Sequence, residues 1–205
     1  MIAVIKGDII ASRKVSSQEV WIKPLKSVLS QWGETPKDWE LVWGDSFQLQ
    51  INHPKEALHR AIAIKTMLKK AGVDARMAIC LGEISYQGEK VSESNRPAFI
   101  YSGEIFEELK KDKVNLALKS PWPDFDTEIN LYLKLGGFIM DHWTVSSAEI
   151  MQIAMKTPDI TQDEIGKHLG IAQSSVSNRW QRARVDAILE IETMFRYKLK
   201  QYRGL

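Results

Sequence analysis

TQDEIGKHLGIAQSSVSNRWQRA, residues 161–183, reads as a helix, a glycine turn and a second helix. Thr161 stands three residues before Glu164, so hydroxyl and carboxylate can each accept the other residue's backbone N–H and open the first helix. Ile165 and Leu169 then share one face. Gly170 can take positive φ and end that helix, and Ile171 drops back into the hydrophobic seam. The second helix is expected to begin at about Gln173.

With Val176 at the centre of the buried side, helical period brings Trp180 and Ala183 close to it and puts Ser174, Asn178 and Gln181 nearly opposite. Ser177 and Arg182 flank that outward strip, and Arg179 lies nearer the seam. Gln173 and Ser175 belong to the first turn, while Lys167 and Arg184 sit at the edges of the unit. Short polar side chains suit base edges and long cations suit phosphates, which is the pattern of a DNA-reading helix-turn-helix. The expected contacts to double-stranded DNA are Lys167, Gln173, Ser174, Ser175, Ser177, Asn178, Arg179, Gln181, Arg182 and Arg184. A helical hairpin that only packs against a partner is the other reading, and it leaves the polar face unexplained.

Charge agrees with a local contact. Residues 1–156 carry 20 basic and 20 acidic residues, whereas 157–205 carry eight basic and six acidic, so the whole excess of +2 lies in the last quarter. Hydrophobic residues make up 44% and charged residues 26% of the 205, ordinary for a globular protein with room for one large or two modest domains. The single cysteine, Cys80, excludes a disulfide framework within the chain and points to a reducing cytoplasm. No apolar run reaches membrane-spanning length, and Lys6 and Asp8 interrupt residues 1–10, so a signal sequence is not expected. His53, His59, His142 and His168 lack ligand spacing.

Upstream, residues 1–5 form a short apolar run typical of a strand covered on both faces. Ser16 and Glu19 suggest a capping box for a helix carrying Trp21, Leu25, Val28 and Trp32, with a kink or restart at Pro24. Residues 39–43 and 47–51 read as a hairpin through Gly44-Asp45-Ser46. Residues 55–71 read as a helix ended by Gly72, and 75–81 as a strand. Strand, helix, strand, strand, helix, strand is the ferredoxin-like order. Beyond it we expect a strand at 97–101, a short helix at 103–111 and a strand at 114–118. Residues 120–126, SPWPDFD, read as a linker, 127–143 as a connecting helix weak at Gly136-Gly137, and Ser146 with Glu149 as the cap of a supporting helix. The fold class expected is thus α+β, a ferredoxin-like domain over 1–119, a linker and connecting helix over 120–143, and an all-α helix-turn-helix domain over 144–205.

In the ferredoxin-like order the end of the first strand lies beside the hairpin turn, which brings Asp8 toward Asp45. Two neighbouring carboxylates repel unless one is protonated or a cation lies between them, and Mg²⁺ holding a nucleotide's phosphates is one resolution. Asp8 and Asp45 are then the metal ligands, with Ser46, Arg13 and the backbone of GDIIASR as nucleotide contacts. The other resolution is a tight turn and a solvated loop acid, and both stand at this point.

The motifs KGDII and WGDSF resemble the two metal-binding aspartate segments of class III nucleotide cyclases, which implies a cyclase-like N-terminal domain. Three cyclase positions depart: Glu107 stands where the resemblance places a transition-state asparagine, Lys111 where it places an arginine, and Leu41 where it places a base-selecting lysine. Over nearly its whole length, through IKGDIIASR, GDSFQ, NRPAFIYSG and the terminal TQDEIGKHLGIAQSSVSNRW, the chain is identified as a member of the SatD family. The function expected is a cytoplasmic, homodimeric transcriptional regulator that senses a nucleotide or anion. The alternative is a Mg-dependent cyclase or nucleotidyl-transfer enzyme targeted by its helix-turn-helix. The helix over 186–202, with Ile188, Ile191, Phe195 and Leu199 at helical spacing, is a candidate dimer seam or else ordinary core cover.

Overall fold

The computed structural model describes residues 1–10, 15, 17–42, 44–83 and 97–204, the side chains of 97–104 excepted. Five strands form one sheet: β1 (Ile2–Ile10), β2 (Trp39–Val42), β3 (Ser46–Ile51), β4 (Asp74–Gly82) and β5 (Leu116–Lys119). Their order is β2-β3-β1-β4-β5, antiparallel except for the parallel β4–β5 pair. Helices α1 (Glu19–Leu29), α2 (Ala57–Lys70) and α3 (Pro97–Asp112) are interleaved with them. The chain is an α+β protein.

Side-chain alternation along β1 assigns the sheet's two faces. Ala3, Ile5 and Ile9 enter the larger core with Trp21 and Leu25 of α1 and Leu58 and Ile62 of α2. Ile2 and Val4 point the other way, with Ala78 and Cys80, against Ile105, Phe106 and Leu109 of α3. That second face is apolar over only half its length: Lys6 and Asp8 continue the alternation of Ile2 and Val4, and the cover changes from hydrocarbon to charge. Cys80 is free and buried there, and burial pushes its thiol up, which keeps it un-ionised.

The rest of the chain is helical: α4 (Pro123–Asp141), α5 (Val145–Lys156), α6 (Gln162–Leu169), α7 (Gln173–Ala183) and α8 (Val185–Arg203). Phe125 and Ile129 of α4, Ile150 and Met151 of α5, Ile165, Val176, and Ile188 and Phe195 of α8 all belong to the same hydrophobic cluster as the α1/α2 side of the sheet. A charged tie reinforces the junction. Fully buried Lys65 of α2 reaches Asp74 of β4 and Asp141 at the end of α4, each at 2.7 Å. Lys69 adds a contact to Asp74 at 2.8 Å, and Asn115 one to Asp141 at 2.9 Å. At the open edge of the sheet, Asn130 of α4 acts as a substitute strand: its amide donates to the Leu118 carbonyl at 2.8 Å and accepts the Leu118 N–H at 2.7 Å. Edge pairing with another chain is blocked at that residue.

Several local expectations change. Residues 97–101 are the start of α3 and not a strand, so the expected strand and short helix are one element. Of the kink or restart expected at Pro24, the restart is absent, since α1 is one helix through that residue. The proposed linker contributes its last four residues to α4, where Phe125 is buried and the Ser120 hydroxyl donates to Asp126 at 2.6 Å. Helix α4 continues through Gly136-Gly137, and a Cβ on Gly136 would stand 2.9 Å from Ile191 Cδ1, so the missing side chain is what lets α8 approach. Thr144 caps α5 in place of Ser146, accepting the Ser147 N–H at 3.2 Å. Ser16, of the other expected cap, lies outside the described residues.

Candidate functional site

Two surfaces concentrate the candidate residues. The first is built by α5, α6 and α7. Thr161 and Glu164 form the reciprocal cap expected of them, with N–H···O distances of 2.8 and 3.2 Å, and the Thr161 N–H together with its hydroxyl, which donates at 2.7 Å, holds the Glu164 carboxyl below its ordinary range. Gly170 ends α6 at φ 66°, in the left-handed region. Val176 and Ala183 are fully buried beneath α7, while Gln173, Ser174, Ser175, Asn178, Gln181 and Arg182 are exposed. Ser177 is half-buried, and Lys167 and Arg184 are exposed at the edges.

Two long-range contacts and a local one set the pose of α7. Trp143, between α4 and α5, donates its indole N–H to the Ala183 carbonyl at 2.9 Å in a buried bond. Half-buried Trp180 donates to both Asp186 carboxylate oxygens at 3.0 Å. Arg179 lies 3.3 Å from Glu149 of α5, so this arginine braces two helices and stands apart from the exposed strip. The Arg179–Glu149 and Trp143–Ala183 pairs are separated by 30 and 40 residues, beyond the reach of periodicity.

The second surface is the polar half of the sheet's α3 side. Asp8 is paired in register with Ser46 on one flank and Arg76 on the other, and Lys6 lies opposite Gln48. The Ile9 N–H donates to the Asp45 carbonyl at 2.9 Å, so the hairpin turn does meet the end of β1. Asp8 Oδ2 lies 3.5 Å from the Arg76 guanidinium. Burial pushes the Asp8 carboxyl up, Arg76 and Lys110 oppose the shift, and Asp45 adds to it. Lys6 and Lys110 stand 5.5 and 5.0 Å from the centre of the Phe106 ring.

Among the described residues, three buried polar atoms here have no hydrogen-bond partner: Asp8 Oδ1, Gln48 Oε1 and Arg76 Nε. They lie on three adjacent strands, on one face. Each such atom costs on the order of 1–3 kcal/mol if left unsatisfied, so their clustering marks a place built to meet polar groups. Lys6, Gln48, Arg76 and Lys110 were not singled out from sequence, although a charged residue inside AVIKGD and DARMAIC is itself a signal.

The aspartate pair does not fit a divalent ion well. A guanidinium already faces Asp8 at 3.5 Å and Lys110 adds positive charge, and both disfavour a cation between the aspartates. Ser46 is half-buried beside Asp8 in register, whereas Arg13 lies outside the described residues. Glu107 is exposed and bonded to Lys110 at 2.9 Å, Lys111 is exposed, and Leu41 is half-buried in β2. Among the described residues no helix is long and apolar enough to cross a membrane.

No curated protein and no solved structure matches the chain. The model of the SatD family matches residues 1–194, and the chain belongs to that family.

Proposed function

Taking SatD-family membership as the premise, we propose that this protein is a DNA-binding transcriptional regulator whose sheet domain senses a nucleotide or related small polar anion. In this reading α6 and α7 form a helix-turn-helix supported by α5, and α7 enters the major groove with Ser174, Asn178 and Gln181 toward base edges. Lys167, Arg182 and Arg184 hold phosphates. The observation that carries it is the two-sidedness of α7: polar side chains outside, Val176 and Ala183 fully buried beneath. The strand order β2-β3-β1-β4 supports the ferredoxin-like, cyclase-like reading of the first domain. One recognition helix makes few base contacts, so two copies on paired half-sites complete the proposal.

The sensing arm rests on Arg76, whose unpaired Nε–H is the donor for a ligand's anionic oxygen, with Asp8 Oδ1 and Gln48 Oε1 as acceptors for the ligand's own N–H or O–H groups and no divalent metal required. Binding of duplex DNA should weaken steeply with salt, and Lys167→Ala and Arg182→Ala should each lower the salt slope by about 1. Salt-independent association, or an unchanged slope in both variants, overturns the DNA arm. For the sensing arm, nucleotides should raise the melting temperature equally with Mg²⁺ or EDTA and lose that effect in Arg76→Ala. A strict Mg²⁺ requirement overturns the metal-free assignment.

A further inference from the structure

The apolar stripe of α8 that sequence offered as a dimer seam is spent on the core: Ile188, Phe195 and Leu199 are all buried. What remains outside is a different set. Helix α4 exposes Leu131 at 56%, Leu135 at 60% and Phe138 at 73%, and α8 exposes Met194 at 39% and Tyr197 at 56%. Spacings of four and three residues put Leu131, Leu135 and Phe138 on one stripe, and a spacing of three joins Met194 to Tyr197.

An ion pair shows that the stripes adjoin. Lys198 lies 2.9 Å from Glu128, linking α8 to α4. Glu128 stands three residues before Leu131 and seven before Leu135, and Lys198 stands four after Met194. The bridge therefore marks a shared border, and the two helices, antiparallel because the start of α4 meets the end of α8, present one joint apolar face. Beside Met194 and Tyr197, α8 alone lines an open groove with Asp186, Leu189, Glu190 and Thr193. Isolated exposed apolar residues are ordinary, but these five, with Tyr202 also exposed near the end of α8, lie on two adjoining helices and form the kind of patch that marks an interface.

We propose that this face receives a second copy of the chain in a two-fold dimer. The occupant follows from the order of charge along the exposed side of α8. Asp186 and Glu190 come first, Met194 and Tyr197 occupy the middle, and Lys200 comes last, all on the solvent side. Two copies of one helix related by a two-fold axis across its length meet antiparallel. With the axis at the height of residue 195, Glu190 faces Lys200 of the second copy, Lys200 faces its Glu190, and the apolar middle meets itself. A parallel pairing sets like charges together. Self-association thus matches both apolar area and charge.

The interface deepens the regulator reading, which needs two copies, but it is tested without DNA. Sedimentation equilibrium of the full chain should give a dimer at micromolar concentration. Leu135→Glu and Tyr197→Glu should give monomers with unchanged circular dichroism, since both sites are exposed, and a melting temperature that no longer rises with chain concentration. Glu190→Lys should raise the dimer dissociation constant at least about tenfold, and Glu190→Lys with Lys200→Glu should restore it, because the swap rebuilds both contacts. A wild-type monomer at about 100 µM, or a Tyr197→Glu chain that stays dimeric, overturns the interface. A chain that is monomeric in solution and still binds DNA overturns the interface and leaves the DNA arm of the regulator reading standing, its two copies then meeting only on the paired half-sites. A dimer without DNA affinity supports the interface and removes that reading.

Discussion

Replacing Lys65 by methionine tests how the helical half is tied to the sheet. The side chain is fully buried, and methionine keeps most of its volume, so the cost is chiefly electrostatic. Two carboxylates lose a cation at 2.7 Å. They are not equally stranded. Asp74 keeps Lys69 at 2.8 Å and the Ala75 N–H at 2.8 Å. The Asp141 carboxylate keeps the neutral Asn115 amide at 2.9 Å on its other oxygen, while the Lys69 ammonium bonds the Asp141 backbone carbonyl and not the carboxylate. Breaking a buried pair costs about 3–5 kcal/mol, and the partners left to Asp74 place the expectation near the lower bound, about 3 kcal/mol. For a chain of this size that is a fall in melting temperature of roughly 6–12 °C. Calorimetry and urea unfolding measure it. Adding Asp141→Asn should recover at least half, because it neutralises the stranded group. A loss under about 1 kcal/mol, or no recovery in the double variant, refutes the electrostatic account of the junction.

Other consequences follow from single contacts. Gly136→Leu should cost about 1–3 kcal/mol by overpacking, since even a Cβ there meets Ile191 at 2.9 Å, and Ile191→Ala should relieve part of it in a double-mutant unfolding cycle. Burial holds His59 below its ordinary value of 6.5, with Glu192 and Glu56 opposing the shift and Arg196 and Arg60 adding to it. Its contribution to stability is full above pH 6.5 and lost as pH falls through the folded value, so His59→Gln should flatten the acid limb of a melting-temperature profile. Asp8 has the opposite linkage: its raised carboxyl favours the fold at low pH and disfavours it as pH rises from 3.8 through the folded value. Asp8→Asn should therefore raise the melting temperature at pH 7 and leave it unchanged well below the ordinary carboxylate range. A lower melting temperature at neutral pH contradicts that sign.

The features legible in sequence are those whose determinants are close together along the chain. Thr161 and Glu164 are three residues apart, and Gly170 and Val176 follow within one motif, so cap, turn and buried side could all be read. The hairpin through Gly44-Asp45-Ser46 is legible for the same reason, and the approach of Asp45 to the end of β1, far apart in sequence, follows from the strand order. Misreadings arose where partners are distant or alternatives equal. Ala98-Phe99-Ile100-Tyr101 is a continuous apolar run that a strand and a buried helix share, and the packing of Ile105, Phe106 and Leu109 on Val4 and Ala78 decides for helix. Glu149, a credible capping partner for Ser146, is drawn instead to Arg179. Arg76 carried no motif at all; its place beside Asp8 comes from strand register.

The most direct test of the central claim is selection of bound duplexes from a random pool by the full-length chain, run beside a Ser174→Ala, Asn178→Ala, Gln181→Ala variant. The account predicts that the wild type enriches a two-fold symmetric motif, and that the variant retains salt-sensitive affinity while losing the motif. A wild-type chain that enriches no sequence, or a variant that enriches the same one, contradicts the assignment of α7 as the reading helix.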